Sequence, residues 1–211
     1  MIAVVDYGAG NLTSVARALE YIGKPCRVTD DPELLHRASH VIFPGVGAAG
    51  DAMENLRNRG LDRWLKNWFA SGKPLLGICL GTQVIFDYSE ENETPCLGLI
   101  HGQVKRFPPD MQDKGRTLKI PHMGWNGVDF TGNHPVFADI SREAEFYFVH
   151  TYYPAPAEGN HIVGRTEYGI VFCSAVAVRN LVAVQFHPEK SGSPGLKILE
   201  NFCAWDGTHA E

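Results

Sequence analysis

The sequence predicts an α/β fold in which a mainly parallel sheet is flanked by helices and extended by antiparallel strands. In the N-terminal half, short apolar segments end in glycine-containing turns, and helically spaced apolar residues follow. The second half changes to alternating apolar and polar residues, a pattern typical of antiparallel strands. With 211 residues, 44% of them hydrophobic, the chain has the size of one domain, predicted to span residues 1–211.

Strand, turn and helix alternate through the first 83 residues. The apolar segments before DYGAGN, PGVG and LGTQ predict parallel strands at 2–5, 41–43 and 75–79. Apolar residues at helical intervals predict helices at 12–22, 51–59 and 61–70, and Gly23 provides a stop for the first of them. This order predicts right-handed connections, with helices on both faces of the sheet.

The second half is predicted to add sheet-edge strands and a closing helix. Residues 146–149 and 171–178 alternate in the manner of antiparallel strands. The polar, turn-rich residues 108–119 predict a surface loop. Ser193 and Pro194 resemble an N-cap followed by a first-turn proline, and they predict a final helix.

Composition excludes several classes of protein. Nineteen Lys and Arg against 24 Asp and Glu give a net charge of −5, so the basic excess typical of nucleic-acid binding is missing. The five cysteines are irregularly spaced without a Cys-x-x-Cys, which argues against a disulfide framework or a thiolate zinc site. No signal peptide or membrane-length apolar run is visible. The expectation is a soluble cytoplasmic protein.

Cys79 lies in a G-x-C-x-G pattern between an apolar strand and a predicted helix. The flanking glycines permit a tight turn that exposes the central side chain. The positive end of the following helix would favour thiolate over thiol. Cys79 is therefore a candidate nucleophile, and the alternative is a buried cysteine at the end of a strand.

A cysteine nucleophile needs a base, and His187 follows the apolar residues of VAVQFHPE. Glu189 lies two residues further on, so extended backbone would point both side chains to the same side. The candidate triad is therefore Cys79, His187 and Glu189. The alternative for His187 is a structural histidine at a strand end, and His150 is the best rival base.

Acyl transfer also needs hydrogen-bond donors for a tetrahedral oxyanion. The turn at 44–47, with Val46 and Gly47, and the backbone amide of Leu80 are the candidates. The alternative for the turn is a plain connection between strand and helix. DYGAGN lacks the third glycine of a dinucleotide-binding motif, and Walker, paired-histidine and calcium-loop motifs are missing. The prediction is catalysis without a cofactor or a metal.

GICLGTQ (77–83), PGVGA (44–48) and FHPEKSG (186–192) together resemble the class I, triad-type glutamine amidotransferases. The set DYGAGN (6–11), PHMGWN (121–126) and YFVHTYY (147–153) is similar to the glutaminase subunits of imidazole glycerol phosphate synthase. The resemblance runs from residue 3 to about residue 200, and it implies a flavodoxin-like sheet. It also implies hydrolysis of glutamine to glutamate and ammonia through a Cys79 thioester. The substrate-binding residues that it implies are Gly47, Gln83, Glu91, Thr151 and Tyr152.

The same resemblance implies a partner. This is the cyclase subunit, a (β/α)₈ barrel that uses the ammonia to make imidazole glycerol phosphate and an aminoimidazole carboxamide ribotide in histidine biosynthesis. Trp and Met are enriched at interface cores. The residues implied to face the cyclase are Asn11, His122, Met123, Trp125 and Lys190.

Two alternatives stay open. The first is the glutaminase subunit of another class I enzyme, such as pyridoxal phosphate synthase, against which PHMGWN and YFVHTY argue. The second is a catalytically dead binding or regulatory subunit. The triad argues against it, and labelling of Cys79 by a glutamine analogue would test it.

Overall fold

The computed structural model describes residues 1–113 and 115–208, without the side chain of residue 116. Its centre is an eight-stranded sheet with the strand order β11-β14-β15-β16-β4-β3-β1-β2, and three smaller sheets surround it. The strands are β1 (Ile2–Val5), β2 (Cys26–Thr29), β3 (His40–Gly45), β4 (Leu75–Cys79), β5 (Tyr88–Ser89), β6 (Thr94–Pro95), β7 (Gly102–Arg106), β8 (Gln112–Asp113), β9 (Arg116–Thr117), β10 (His122–Gly127), β11 (Asp129–Phe130), β12 (Glu145–His150), β13 (Tyr152–Pro156), β14 (Ile162–Tyr168), β15 (Ile170–Val178) and β16 (Leu181–Val184).

Five neighbouring strands, β2, β1, β3, β4 and β16, are parallel, and β15, β14 and β11 continue the sheet in antiparallel pairing. This agrees with the predicted parallel sheet with antiparallel additions. The register pairs Gly45 with Cys79 and Val184 with Ile78. Because parallel strands end at one edge of the sheet, the turns after β3, β4 and β16 meet there.

Helices cover both faces of the large sheet. They are α1 (Leu12–Tyr21), α2 (Pro32–His36), α3 (Ala49–Asn58), α4 (Leu61–Ala70), α5 (Leu80–Gln83) and α6 (Gly192–Ala204). Apolar residues of α1 and α6 share one core with one set of sheet residues, and those of α3 and α4 share a second core with another set. The side-chain alternation of the strands produces this division.

An antiparallel layer lies beside the edge of the sheet where the turns after β3, β4 and β16 meet. β10 pairs with β12 along its whole length, and β13 joins a four-stranded sheet with β7, β5 and β6. Phe146 and Phe148 of β12 pack in the same core as α1 and α6. The layer therefore brings residues 150–152 to the end of the parallel strands.

The structure confirms some predicted elements and adds others. The predicted strands at 2–5 and 75–79 are confirmed, and the first helix ends one residue earlier than predicted. The edge strand β2 and the short helix α2 were not predicted, because two exposed residues in β2 conceal its apolar pattern. In α2, the Asp31 side chain accepts a hydrogen bond from the Glu33 backbone N–H at 2.9 Å, and Pro32 takes the first position.

The N-cap prediction for the last helix is wrong. The helix begins at Gly192 with Ser191 in the cap position, because a 3₁₀ turn, Pro188–Lys190, brings the chain round immediately after His187. The Ser191 hydroxyl donates to the His187 carbonyl oxygen at 2.6 Å, so it fixes this turn instead of capping the helix.

The predicted loop at 108–119 contains the hairpin β8–β9, so it is not wholly irregular. Lys114 of that loop lies outside the described residues. Among the helices described, none is long and apolar enough to cross a membrane.

Candidate active site

Cys79 lies at a sharp turn between β4 and α5. Its backbone has φ 54° and ψ −107°, a left-handed conformation that a non-glycine residue rarely adopts. Gly81 is required nearby, because a Cβ atom there would lie 1.8 Å from the Phe43 carbonyl oxygen. The strained turn predicted from the two flanking glycines is therefore present, and Cys79 lines a pocket.

The helix after Cys79 is shorter than expected. α5 is one turn, Leu80–Gln83, and Val84 is its C-cap residue. A single turn aligns few peptide dipoles, so the positive helix end predicted to act on Cys79 is weaker than that of a full helix. The contribution of this segment lies in the free backbone N–H groups of its first turn.

His187 and Glu189 form a buried pair. The distance from His187 Nδ1 to Glu189 Oε1 is 2.7 Å, and both side chains have no solvent exposure. The predicted contact is confirmed, but extended backbone is not its only cause. His187 is extended, whereas Glu189 lies in the 3₁₀ turn that follows. The turn folds the carboxylate back under the imidazole ring.

The surroundings of His187 favour its charged form. Burial alone would lower the pKa of the imidazole, but hydrogen bonds and charge interactions with Cys79 and Glu189 outweigh burial and raise the pKa to about 9. Nε2 of the ring is buried without a conventional hydrogen bond within the protein. At neutral pH the ring is therefore an imidazolium that holds a proton beside the sulfur.

Asn11 contacts the triad directly. Its Nδ2 donates to Glu189 Oε1 at 2.5 Å and lies 3.4 Å from His187 Nδ1. Asn11 has φ 74° at the start of α1, a conformation that asparagine tolerates better than most residues. The sequence predicted only an interface role for Asn11, since no local pattern connects residues 11 and 189.

A pocket of about 380 Å³ opens above Cys79. All five residues that the resemblance implied for substrate binding line it, together with the triad cysteine and histidine. The lining residues are Val46, Gly47, Cys79, Leu80, Gln83, Glu91, Pro121, Val149, His150, Thr151, Tyr152 and His187.

Two polar side chains shape the pocket wall. Glu91 Oε2 accepts a hydrogen bond from the Ala49 backbone N–H at 2.6 Å, which fixes the carboxylate at the pocket. Gln83 Nε2 donates to the Tyr152 carbonyl oxygen at 3.0 Å and to Gln185 Oε1 at 3.1 Å. The wall therefore offers an anion and several oriented amides to a polar ligand.

Sequence reasoning missed Gln185. It is fully buried, and its Nε2 lies 3.8 Å from Cys79 Sγ, within the longer limit for hydrogen bonds to sulfur. The only available signal was a glutamine at the end of an otherwise apolar strand, in VAVQFHPE.

The turn after β3 lies beside the nucleophile, as the oxyanion prediction requires. Gly47 has φ 104°, and a Cβ atom there would meet no atom within 4 Å. Gly45 has no such room, because a Cβ atom would lie 1.9 Å from the Tyr7 hydroxyl oxygen. This turn is thus anchored at Gly45 and unobstructed at Gly47.

His150, the rival base, has a different environment. Its Nδ1 is 2.8 Å from the Tyr152 carbonyl oxygen, and burial lowers its pKa to about 3. The ring lines the pocket but stays neutral. A neutral, hydrogen-bonded imidazole supports the structural interpretation of His150 over a catalytic one.

The residues implied to face a partner divide into two groups. Met123 and Trp125 are 62% and 55% exposed on β10, and Lys190 is exposed with its Nζ 5.9 Å from the centre of the Tyr147 ring. His122 differs from that expectation, because it is 2% exposed and points into the core from the same strand.

A metal site is not formed by the described residues, since no group of three or more His, Cys, Asp or Glu side chains within 1–113 and 115–208 is placed to hold an ion.

The sequence is closely similar to curated proteins. The relative from Maridesulfovibrio salexigens, named imidazole glycerol phosphate synthase subunit HisH, is 53% identical over 96% of this chain and 95% of its own length. The Pseudomonas putida protein of the same name is 48% identical over 98% of both chains.

Solved structures share the fold. A crystal structure of glutamine amidotransferase superimposes with a TM-score of 0.73 at 18% identity, covering 96% of this chain and all of that one. PurLQS from Thermotoga maritima gives a TM-score of 0.71 at 18% identity and covers 96% of this chain and 97% of its own. The glutamine amidotransferase class-I family matches residues 3–205, so the chain belongs to that family.

Proposed function

We propose that the chain is the glutaminase subunit of an imidazole glycerol phosphate synthase. The observation that carries the proposal is full-length similarity, at 48% to 53% identity, to relatives with that name. The buried pair of His187 and Glu189 beside Cys79 supports the catalytic half of the proposal. The family match over residues 3–205 supports one domain for residues 1–211.

The reaction begins with attack of Cys79 Sγ on the carboxamide carbon of glutamine. The tetrahedral oxyanion accepts hydrogen bonds from the Leu80 N–H and from an amide of the turn with Val46 and Gly47. His187 then donates its Nε2 proton to the leaving nitrogen, and ammonia departs from a γ-glutamyl thioester. His187 next takes a proton from water as the water attacks the thioester, and glutamate leaves with Cys79 restored.

The pocket wall supplies the complement of an amino acid. A substrate ammonium group needs an anion, and the Glu91 carboxylate, fixed by the Ala49 N–H, provides one. Both N–H groups of the Gln83 side chain donate within the protein, so its oxygen is left to accept from the α-amino group. The backbone near Thr151 and Tyr152 lines the pocket where the α-carboxylate would bind.

Ammonia released in water would be protonated and lost as a nucleophile. We therefore propose delivery to a cyclase subunit, a (β/α)₈ barrel, in a cytoplasmic heterodimer. The lyase step belongs to that partner. The exposed Met123 and Trp125 have the chemistry of an interface core, and Asn11 and Lys190 lie with them among the proposed contact residues. The buried His122 lies on the same strand and packs beneath this surface.

The turn at 44–47 is proposed to control activity. In the resting subunit it holds an oxyanion amide away from the pocket, and binding of the cyclase ligand favours the turned form. The unobstructed glycine at position 47 lowers the cost of such a change.

The test is glutamate release from glutamine, measured first with the purified chain and then with a cyclase subunit and its ribonucleotide ligand. Strong release only in the mixture is the expected result. Vigorous release by the isolated chain would contradict the dependence on a partner. No glutamate release in either assay would contradict the proposed function.

A further inference from the structure

Two buried histidines face each other across the antiparallel pair β10–β12. His122 and His150 are direct register partners, and His122 Nδ1 lies 2.9 Å from His150 Nε2. Phe148 and Tyr168 stack on the two faces of His122, with ring centroids 4.8 and 4.0 Å away. The two histidines are therefore held in place by a hydrogen bond and by ring stacking, and the proposed reaction steps do not use this pair.

The neighbours of each nitrogen fix where the protons lie. His150 Nδ1 is 2.8 Å from the Tyr152 carbonyl oxygen, which only accepts, so Nδ1 carries the hydrogen. His150 Nε2 is then an acceptor, and its donor is His122 Nδ1. His122 Nε2 is left to accept. Both rings are therefore neutral Nδ1–H tautomers, and burial lowers the pKa of His122 to about 4 and that of His150 to about 3.

Asn126 lies next to His122, on the side of the histidine pair away from Cys79. Its Oδ1 accepts from the Gly127 N–H at 2.8 Å, which orients Nδ2 towards two acceptors. Nδ2 donates to the Glu167 carbonyl oxygen at 2.9 Å and lies 3.4 Å from His122 Nε2. The amide orientation thus agrees with the tautomer deduced for His122.

The inner end reaches the nucleophile. The Tyr152 carbonyl oxygen accepts from His150 and also from Gln83 Nε2. Gln83 Nε2 donates in addition to Gln185 Oε1, and Gln185 Nε2 approaches Cys79 Sγ. A connected series of contacts, in which the Tyr152 carbonyl oxygen accepts from both sides, joins strand β10 to the floor of the pocket. Strand β10 also carries the exposed Met123 and Trp125.

We propose that His122 and His150 are positioning residues that hold the Tyr152 carbonyl and the Gln83 side chain in the glutamine-binding arrangement. They also link that arrangement to strand β10. The reacting atoms are not touched by either ring in this role. The consequence for glutamine rests on the proposed function, whereas the tautomers do not.

The tautomers are tested by two-bond ¹H–¹⁵N spectroscopy on the isotopically labelled full chain at pH 7. The expected spectrum shows both histidines neutral with the proton on Nδ1, which is the minor form in water. A proton on Nε2 of either ring, or a cationic ring, would overturn the proposal.

The positioning role is tested with two variants at one position. His122→Phe keeps a ring between Phe148 and Tyr168 but removes the donor, whereas His122→Asn places an amide donor near the position of Nδ1. The probes are a diazo-ketone analogue of glutamine, which must occupy the pocket to alkylate Cys79, and iodoacetamide, which reports only thiol reactivity.

His122→Phe is expected to lower the rate constant for the analogue about five- to tenfold, the loss typical of one hydrogen bond, with iodoacetamide labelling unchanged. His122→Asn is expected to recover at least half of that loss on a logarithmic scale. Equal behaviour of the two variants, or a parallel loss with iodoacetamide, would overturn the proposal. A wild-type chain that ignores the analogue even with a cyclase subunit and its ribonucleotide ligand present, but reacts with iodoacetamide, would instead contradict the proposed glutaminase.

Discussion

The parallel half of the large sheet and the antiparallel layer each contribute one buried histidine to the same pocket. His187 follows β16, and a carboxylate and a thiol beside it raise its pKa to about 9. His150 ends β12, and burial beside aromatic rings and a second histidine lowers its pKa to about 3. Neighbouring groups, and not the position at a strand end, raise the pKa of one histidine and lower that of the other, so one ring suits the proposed proton donor and the other stays neutral.

This difference assigns separate tasks to the two regions. The parallel strands supply the proposed reacting groups, because their carboxyl ends converge where Cys79, His187 and the turn at 44–47 meet. The antiparallel layer supplies backbone that shapes the pocket, since the Tyr152 carbonyl oxygen of β13 holds the Gln83 side chain of α5. Substitutions in the first region should affect chemistry, and those in the second should affect binding.

The largest effect is expected for Cys79→Ala, which removes the nucleophile of the parallel region. Glutamine-dependent synthesis in the complex should fall by at least about a thousandfold. Added ammonia should still support synthesis, since the cyclase site is untouched. If ammonia also fails, Cys79 is needed for folding or assembly, and the assignment of chemistry to this region is wrong.

A smaller loss is expected for Glu189→Gln, on the order of a hundred- to a thousandfold in glutaminase rate. Loss of the carboxylate charge should lower the pKa of His187 from about 9 towards its ordinary value. Because the proton donor is then lost at lower pH, the alkaline limb of the rate profile should move to lower pH. The measurement is the pH dependence of glutamate release.

Asn11→Ala is the matched control, because it removes a neutral contact to the same carboxylate oxygen. The rate should fall much less than in Glu189→Gln, and the alkaline limb should stay closer to that of the wild type. A limb that does not move in Glu189→Gln would show that the carboxylate charge does not set the protonation of His187.

The two regions also differ in how far the sequence predicts them. The strand–turn–helix pattern predicted the parallel core and the turn at Cys79, because apolar periodicity and glycine placement are local signals. The pairing of His187 with Glu189 was predicted from their spacing of two residues. The earlier start of α6 was not predicted, since the turn at 188–190 moves the cap position from Ser193 to Ser191. The short length of α5 was not predicted either.

In the antiparallel layer, the predicted strand at 146–149 is confirmed as part of β12, but the contacts that join the layer to the pocket were not predicted. The contact between His122 and His150 joins strands 28 residues apart, and Gln83 meets Tyr152 across 69 residues. Asn11 and Glu189 are separated by 178 residues. No local pattern records such pairings, so the pocket residues followed from family resemblance, and the role of Gln185 was found only in the structure.

A change at Gly47 should have an intermediate effect that separates activation from binding. Valine cannot adopt φ 104° without strain, although nothing within 4 Å blocks its Cβ. Gly47→Val should therefore lower the cyclase-stimulated glutaminase rate about tenfold or more, with a smaller change in KM for glutamine. Equal losses in stimulated rate and in glutamine binding would count against a turning peptide at this position.

The smallest effect concerns stability, and the two histidine environments predict opposite pH limits. The raised pKa of His187 gives stability that is present below about pH 6.5, the ordinary histidine value, and lost as the pH rises through about 9.

The lowered pKa of His122 gives the reverse: its contribution to stability is complete above about pH 6.5 and falls as the pH drops towards about 4. In that acid range the unfolded chain binds a proton at residue 122 that the folded chain does not. His122→Phe should therefore flatten the pH dependence of the unfolding free energy between pH 4 and 6.5 by up to about 1.4 kcal/mol per pH unit. Urea unfolding across this range measures the slope, and an unchanged slope in the variant would mean that His122 is already protonated in the folded protein.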